Sequence, residues 1–303
     1  MLLTGNCLEL INELDNDIVQ TIVTSPPYWG LRDYEGEEEQ IGQEETPDEY
    51  VVKMTAFFSL CKRVLKDDGT LWLNIGDTYF GAKGGHWEGG NSITNDATGG
   101  HYRMSRKAPP KHKRLKTKDL CGVPWMLAFS LQKDGWYLRQ DIIWHKPNPM
   151  PEAVTDRCVK SHEHIFLFSQ KSKYYFDHEA IQEKAIHVGD NRASRGDSRR
   201  DIDLAASMAA SSQPTGEYRN KRDVWSINTA QSSEAHFAVF PPKIPELCIK
   251  AGTKEGDIVL DPFMGSGTTA FVAQRLGRKW IGFELNDSYA ELIARKTAQG
   301  ELF

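Results

Sequence analysis

The stretch from Asp257 to Glu284 constrains the fold of this 303-residue chain more than any other. Asp257-Ile258-Val259-Leu260-Asp261 is a short apolar run between two acids, the signature of a buried strand. Pro262-Phe263-Met264-Gly265-Ser266-Gly267 reads as a glycine-rich turn, and Thr268 to Leu276 as a helix. The glycines let backbone approach a ligand closely, and the helix start offers N–H groups. After Gly277, Trp280-Ile281-Gly282-Phe283-Glu284 reads as the next strand. Its terminal acid lies about twenty residues past the glycines, where it can accept hydrogen bonds from both ribose hydroxyls of a nucleoside cofactor. Strand, turn, helix, strand and acid in this order predict a parallel α/β sheet.

The details of the turn narrow the ligand. A triphosphate loop needs a lysine before its Ser/Thr, and here Gly267 runs directly into Thr268 and Thr269. A dehydrogenase turn fits poorly, because Asp261 would set negative charge against a pyrophosphate. An acid there suits a cofactor with positive charge, and S-adenosylmethionine carries both an amino group and a sulfonium.

A second feature lies far upstream. Ile18-Val19-Gln20-Thr21-Ile22-Val23 reads as a buried strand, and Thr24-Ser25-Pro26-Pro27-Tyr28 follows it. Neither proline can donate to a ladder, so the strand must end there. A rigid turn of this kind fixes a hydroxyl, a carbonyl and an aromatic ring at the carboxyl edge of a sheet. Such a place can hold an exocyclic amino group and stack a base.

Thr24–Tyr28 and Asp261–Thr269 together resemble the motifs of the amino-group DNA methyltransferases, which modify cytosine N4 or adenine N6. The proline turn precedes the glycine turn, as in the circularly permuted beta class. Asp68–Gly76, Asp141–Pro147 and His162–Phe168 are similar to further motifs of that family, so the resemblance covers most of the chain. His236–Pro241, with Phe237, looks like the segment that packs beside the methionine end of the cofactor. The extended run Ser25–Tyr34 looks more like the cytosine-N4 members. The resemblance implies a catalytic set Ser25, Pro26, Pro27 and Tyr28. It implies a cofactor set Asn6, Phe237, Asp261, Phe263, Gly265, Ser266, Gly267, Thr268 and Glu284, with no metal. Asn6 departs from the pattern, since relatives commonly carry Asp in that turn; its amide oxygen can still accept, and a purely structural role is equally open.

The expected fold is α/β: a doubly wound, mostly parallel, Rossmann-like methyltransferase sheet, circularly permuted, with an inserted recognition segment. The sequence reads as a catalytic half over 1–80 and 119–180, a flexible basic insertion over 81–118, a target-recognition segment over 181–235 and a cofactor half over 236–303. Helices are expected at Leu8–Leu14, Asp48–Leu65, Pro124–Lys133, 242–251, 268–276 and from Ser288, and strands at 2–4, 18–23, 70–75, 138–145, 163–169, 257–261 and 279–284, one of them antiparallel within 138–169. Ligands in such sheets sit where the winding reverses, which predicts Asp261 and the Ser25 turn side by side.

Charge is uneven. The net charge is −5, yet Arg103, Arg106, Lys107, Lys111, Lys113, Arg114, Lys116 and Lys118 follow one another with no acid between them. That block can neutralise phosphates and predicts salt-dependent binding. Arg192, Arg195, Arg199, Arg200, Arg219, Lys221 and Arg222 make the second cationic stretch, and arginine can pair bidentately with guanine. The five cysteines are scattered and form no metal-ligand spacing. No stretch is long and apolar enough for a membrane span, and a cytoplasmic location is expected.

The reading of function is a site-specific DNA methyltransferase that flips its target and methylates N4 of cytosine in duplex DNA, using S-adenosylmethionine. Tyr28 would stack on the extruded base, while Ser25 and the Pro26 carbonyl accept from its amino group. The cysteines do not sit in a Pro-Cys turn, so no covalent ring-carbon chemistry is expected. Trp29 either lines the pocket or packs in the core. Adenine N6 is the alternative acceptor; an RNA methyltransferase or a catalytically silent DNA-binding relative are the more distant ones. Expected partners are double-stranded DNA and, in a restriction–modification setting, a separate cognate endonuclease; the chain would act as monomer or homodimer.

Overall fold

The computed structural model describes residues 1–30, 40–81, 112–185, 216–230 and 241–298. Leu31–Tyr34, the first part of the basic block (Arg103–Lys111), Arg192–Arg200 and His236–Phe240, including Phe237, lie outside the described residues.

Residues 1–175 and 223–303 form one unit and 176–222 another. In the first, an eight-stranded sheet runs β1(Leu2–Thr4), β10(Lys279–Glu284), β9(Ile258–Asp261), β2(Val19–Thr24), β3(Leu65–Ile75), β5(His162–Ser169), β4(Tyr137–His145), β8(Val224–Ser226). Pairs from β1 through β3 are parallel, and β5 is antiparallel to both β3 and β4. This is the mostly parallel sheet with one reversed strand that the sequence predicts. β2 has β9 on one side and β3 on the other, so the winding reverses between β9 and β2. Thr21 pairs with Val259 and Ile22 with Leu260, which sets the carboxyl ends of the two strands level.

Helices cover the central strands. Every residue of β2 is buried. Helix α1 spans Cys7–Glu13 and α2 spans Pro47–Val64. α2 starts in a capping box: Thr46 accepts from the Glu49 N–H, and Glu49 accepts from the Thr46 N–H. Tyr50, Met54, Phe57, Phe58 and Cys61 form its buried stripe. Val52, also apolar, falls on the opposite face and Leu60 on the flank, and both are exposed. Helix α3 spans Val123–Lys133, α4 Lys243–Gly252, α5 Thr268–Arg275 and α6 Ala290–Ala298.

Two departures have physical reasons. β3 begins at Leu65, not Thr70, because Val19 pairs with Leu65 before the register shifts at Thr21. Within the polar Lys66-Asp67-Asp68-Gly69 stretch, Gly69 is pressed so close that a Cβ would lie 2.7 Å from Leu65 Cγ. β8 has no counterpart in the sequence reading. It is three residues long, too short for periodicity, and is held by parallel pairing with β4 and by Trp225, buried beside Trp72.

The second unit contains a short antiparallel pair, β6(Glu183–Lys184) with β7(Tyr218–Arg219). Glu183 gathers cations there: Arg219 at 2.9 Å, Arg222 at 2.7 Å and Lys221 at 3.6 Å.

Candidate active site

Asp261 closes the switch point. Its Oδ1 accepts from Thr24 Oγ1 at 2.7 Å and from the Phe263 N–H at 3.1 Å; its Oδ2 accepts from Thr269 Oγ1 at 2.6 Å. One carboxylate thereby ties the end of β2, the end of β9 and the first turn of α5. Thr24, the residue that precedes the Ser25 turn, lies 237 positions from Asp261 and is in direct contact with it. Asp261 is 1% exposed. Burial pushes its carboxyl up to about 6, against the pull of Thr269, Thr24 and the Phe263 N–H. The side chain is therefore a structural clasp whose hydrogen bonds are made within the protein.

The glycine turn is held from below. Gly265 N–H donates to Glu284 Oε2 at 2.8 Å, and Asn286 N–H donates to Oε1 at 3.1 Å. Burial raises the Glu284 carboxyl, opposed by these backbone bonds. Gly267 has φ +78°, and a Cβ on it would lie 3.2 Å from Ile293, so only glycine fits without strain. A Cβ on Gly265 would meet nothing within 4 Å, which leaves open space over the turn. Ser266 and Thr268 flank it, and Lys296 from α6 donates to Thr268 Oγ1 at 2.9 Å and Ser266 Oγ at 3.4 Å. Phe263 packs edge-on against Phe57 at 5.3 Å, so part of its ring serves the core. Asn6 caps α1 by accepting from the Leu8 N–H at 2.9 Å, and Gly5 N–H donates to the Glu284 carbonyl. The Asn6 turn thus sits beside the end of β10.

The proline turn is held by side chains. Tyr50 OH donates to the Pro27 carbonyl at 3.0 Å. Trp29 is buried, stacks with Phe80 at 6.3 Å and donates through Nε1 to the Glu44 carbonyl; of its two readings, core packing is the one the structure supports. Tyr28 reaches across the sheet edge. Its OH lies 3.2 Å from Ser25 Oγ, 3.3 Å from Asn74 Oδ1 and 2.8 Å from Glu163 Oε2. Asn74 Nδ2 donates to Glu163 Oε2 and to the His164 carbonyl, and Lys146 donates to Glu163 Oε1. Lys146 also stands over the Trp144 ring at 4.3 Å. Gly76 makes room for the tyrosine: a Cβ there would lie 2.8 Å from Tyr28 Cε2.

The structure therefore ties Thr24, the residue just before Ser25–Tyr28, to Asp261, with Glu284 at the end of the neighbouring strand β10 holding the glycine turn. Asn74, Lys146 and Glu163 escaped the sequence reading. All three lie in stretches that carry the family resemblance, but nothing in their spacing marks them as partners of Tyr28. Cys7, Cys61, Cys121 and Cys248 are buried and Cys158 is exposed. Among the described residues no group of three or more His, Cys, Asp or Glu could hold a metal ion, and no helix is long and apolar enough to cross a membrane.

Comparison with known proteins agrees with this architecture. The chain is 46% identical to the type II methyltransferase M.SmaI of Serratia marcescens, over 97% of this chain and 89% of that one. The PvuII DNA methyltransferase, described as cytosine-N4-specific, superposes with a TM-score of 0.64 at 20% identity, covering 97% of this chain and 85% of that one. TTHA0409 of Thermus thermophilus, described as a candidate DNA modification methylase and complexed with S-adenosyl-L-methionine, superposes with a TM-score of 0.59 at 21% identity, covering 99% and 93%. The N6/N4 methyltransferase model, described as DNA methylase, matches residues 19–295, and the chain belongs to that family of DNA methyltransferases.

Proposed function

We propose that the protein transfers a methyl group from S-adenosylmethionine to N4 of cytosine in duplex DNA. The observation that carries the reading is the Thr24–Asp261 hydrogen bond, which locks a turn bearing a hydroxyl and an aromatic ring to the glycine turn of a nucleoside site. The cofactor fits the residues present. The Gly265 turn is open above, and Glu284, although it accepts from Gly265 and Asn286, keeps a second lone pair on each oxygen for ribose hydroxyls. Gly265, Ser266, Gly267, Thr268, Phe263, Asn6 and, by the family resemblance, Phe237 would hold the cofactor, and the Asp261 carboxylate lies next to the start of the glycine turn. The cofactor supplies an electrophilic methyl group on a sulfonium.

The protein's own part is positioning and electrostatics. The target base must leave the duplex, at a cost of roughly a few kcal/mol. Stacking on Tyr28 offsets some of this, since base–aromatic stacking is worth about 1–3 kcal/mol. Ser25 Oγ and the Pro26 carbonyl accept from the amino hydrogens, which draws the nitrogen lone pair out of the ring. Pro26 and Pro27 hold both acceptors still. A hydroxyl in place of a carboxylate or carboxamide favours cytosine N4 over adenine N6. Segment 181–235 serves in target recognition. Within it, Arg219 and Arg222 pair with Glu183 and hold the local fold. The likeness to M.SmaI supports a restriction–modification role with a separate endonuclease.

The test is methyl transfer from labelled cofactor to unmethylated genomic DNA, with nucleoside digestion and mass spectrometry. N4-methylcytosine is expected. N6-methyladenine would keep the mechanism and overturn the argument from Ser25.

A further inference from the structure

The mechanism above uses the Tyr28 ring and leaves its hydroxyl without a task, although that hydroxyl sits at the centre of the most connected polar cluster at the site. Three hydrogen-bond steps run in one line. Ser25 Oγ lies 3.2 Å from Tyr28 OH, Tyr28 OH donates to Glu163 Oε2 at 2.8 Å, and the other Glu163 oxygen accepts from Lys146. Because Tyr28 gives its proton to Glu163, its oxygen is left to accept from Ser25, and Ser25 Oγ in turn is left to accept from a third group. Burial, and after it the charge of Glu163, raises the Tyr28 phenol well above its ordinary range, so it keeps a proton to pass on. The cluster is enclosed but not sealed: the Glu163 side chain is 11% exposed and that of Lys146 17%. Lys160 and His162 precede Glu163 in sequence, and Lys160 Nζ donates to the Asp77 carbonyl at 2.6 Å.

Methyl transfer to an amino group creates a need for such a line. When the amino nitrogen forms its bond to the methyl carbon it becomes cationic, and one N–H must break. We propose that Ser25, Tyr28 and Glu163 form a proton relay that takes this proton away from the target amino group. This rests on the amino-group transfer proposed above. The departing proton goes to Ser25 Oγ, the Ser25 proton to Tyr28 O and the Tyr28 proton to Glu163 Oε2. The nitrogen becomes neutral, the carboxylate becomes a carboxylic acid, and the proton passes to water on product release. Asn74 cannot take a proton; its Nδ2 donates to Glu163 and its Oδ1 faces Tyr28, so it fixes the line without being a step in it. Glu163 does not touch the base and is a positioning residue and proton acceptor acting through Tyr28.

The test uses single-turnover methyl transfer with the full-length protein and duplex DNA carrying a fluorescent cytosine analogue at the target. Glu163→Gln keeps the shape and the acceptor oxygen for Tyr28 but cannot accept the proton. Tyr28→Phe keeps the ring and cuts the line. Each is expected to slow transfer by about 100-fold, the lower range for a positioned acid or base. The double variant should be no slower than either single one, since both break one line. Base flipping, read by the fluorescence, and cofactor affinity should stay within about twofold of wild type. A Glu163→Gln rate within about threefold of wild type would overturn the relay. So would additive losses, or a loss matched by weakened flipping, which would assign Glu163 to pocket shape alone. The product formed by the wild type is scored separately: adenine in place of cytosine changes the acceptor and leaves the relay standing, whereas a wild type without transfer removes both.

Discussion

The turns after β9 and β2 meet at one switch point and are held by opposite means. After β9, carboxylates accept from backbone: Glu284 from Gly265 and Asn286, and Asp261 from Phe263. After β2, Tyr50 holds the Pro27 carbonyl, and beyond it side chains bond side chains: Ser25 to Tyr28, Tyr28 to Glu163 and Asn74, Glu163 to Lys146. A backbone cradle fixes the shape of a ligand that never changes. A side-chain network can shift protons and answer to chemistry. In the function proposed above, the difference divides the labour, with a static cofactor seat on one side and a reactive face on the other. Asp261 is the joint between them, taking a hydroxyl from each side.

Breaking the joint should have the largest effect. Asp261→Ala strands the buried Thr24 hydroxyl and the Phe263 N–H and leaves Thr269 a distant Val23 carbonyl at 3.5 Å, so stability should fall by about 3 kcal/mol, with transfer and cofactor binding both lost. Chemical denaturation and calorimetric cofactor titration measure the two. The same carboxyl predicts a pH signature. Its folded value, about 6, lies above the ordinary aspartate value of 3.8. The native state therefore holds the proton more tightly, and this group's contribution is fully present below about pH 4. It is lost as pH rises through about 6, a change of about 3 kcal/mol at 1.36 kcal/mol per unit. Asp261→Asn should flatten that part of the stability profile; an unchanged slope would mean that another group carries it.

The reactive face can be disturbed without the joint. Gly76→Ala puts a methyl group 2.8 Å from Tyr28 Cε2 and 3.2 Å from Glu163 Cγ. Overpacking of this kind costs about 1–3 kcal/mol. Since the ring itself must move, transfer should slow by about tenfold or more, about 1.4 kcal/mol of barrier, while cofactor affinity stays unchanged. Equal losses in both would show that the two sides are not separable.

The contrast also explains what the sequence revealed. The cofactor side was legible because backbone cradles need glycines at fixed places and an acid at a strand end, and Gly265, Gly267 and Glu284 are such residues. β9, α5 and β10 were found almost to the residue for the same reason. The reactive side showed its near half only. Ser25-Pro26-Pro27-Tyr28 is local and readable, but Glu163 meets Tyr28 from 135 positions away through a strand order that no local pattern encodes. Asp261 was read as an acid facing a cationic cofactor; its charge is there, but Thr24 and Thr269 occupy its oxygens, a packing fact invisible in one dimension.

On the cofactor side the effects should be smaller and confined to binding. Glu284→Gln keeps an oxygen for Gly265 but sets an NH2 where Asn286 N–H now donates, or the reverse. Cofactor affinity should fall about tenfold, the size of one lost charge-assisted bond, with little change in the single-turnover rate at saturation.

The smallest effect should come from Lys296, which meets the seat through the hydroxyls of Ser266 and Thr268. Those bonds are partly solvent-facing, and a bond of this kind contributes about 0.5–1 kcal/mol. Lys296→Ala should therefore raise the cofactor dissociation constant by about two- to fivefold, with the transfer rate and Tyr28 environment untouched. A larger loss would mean that the ammonium acts on the cofactor directly. Repeating the titration at high salt separates the two cases. A bond that only steadies Ser266 and Thr268 is barely screened, whereas an ammonium facing an anionic cofactor group loses its advantage as the Debye length falls to about 3 Å at 1 M.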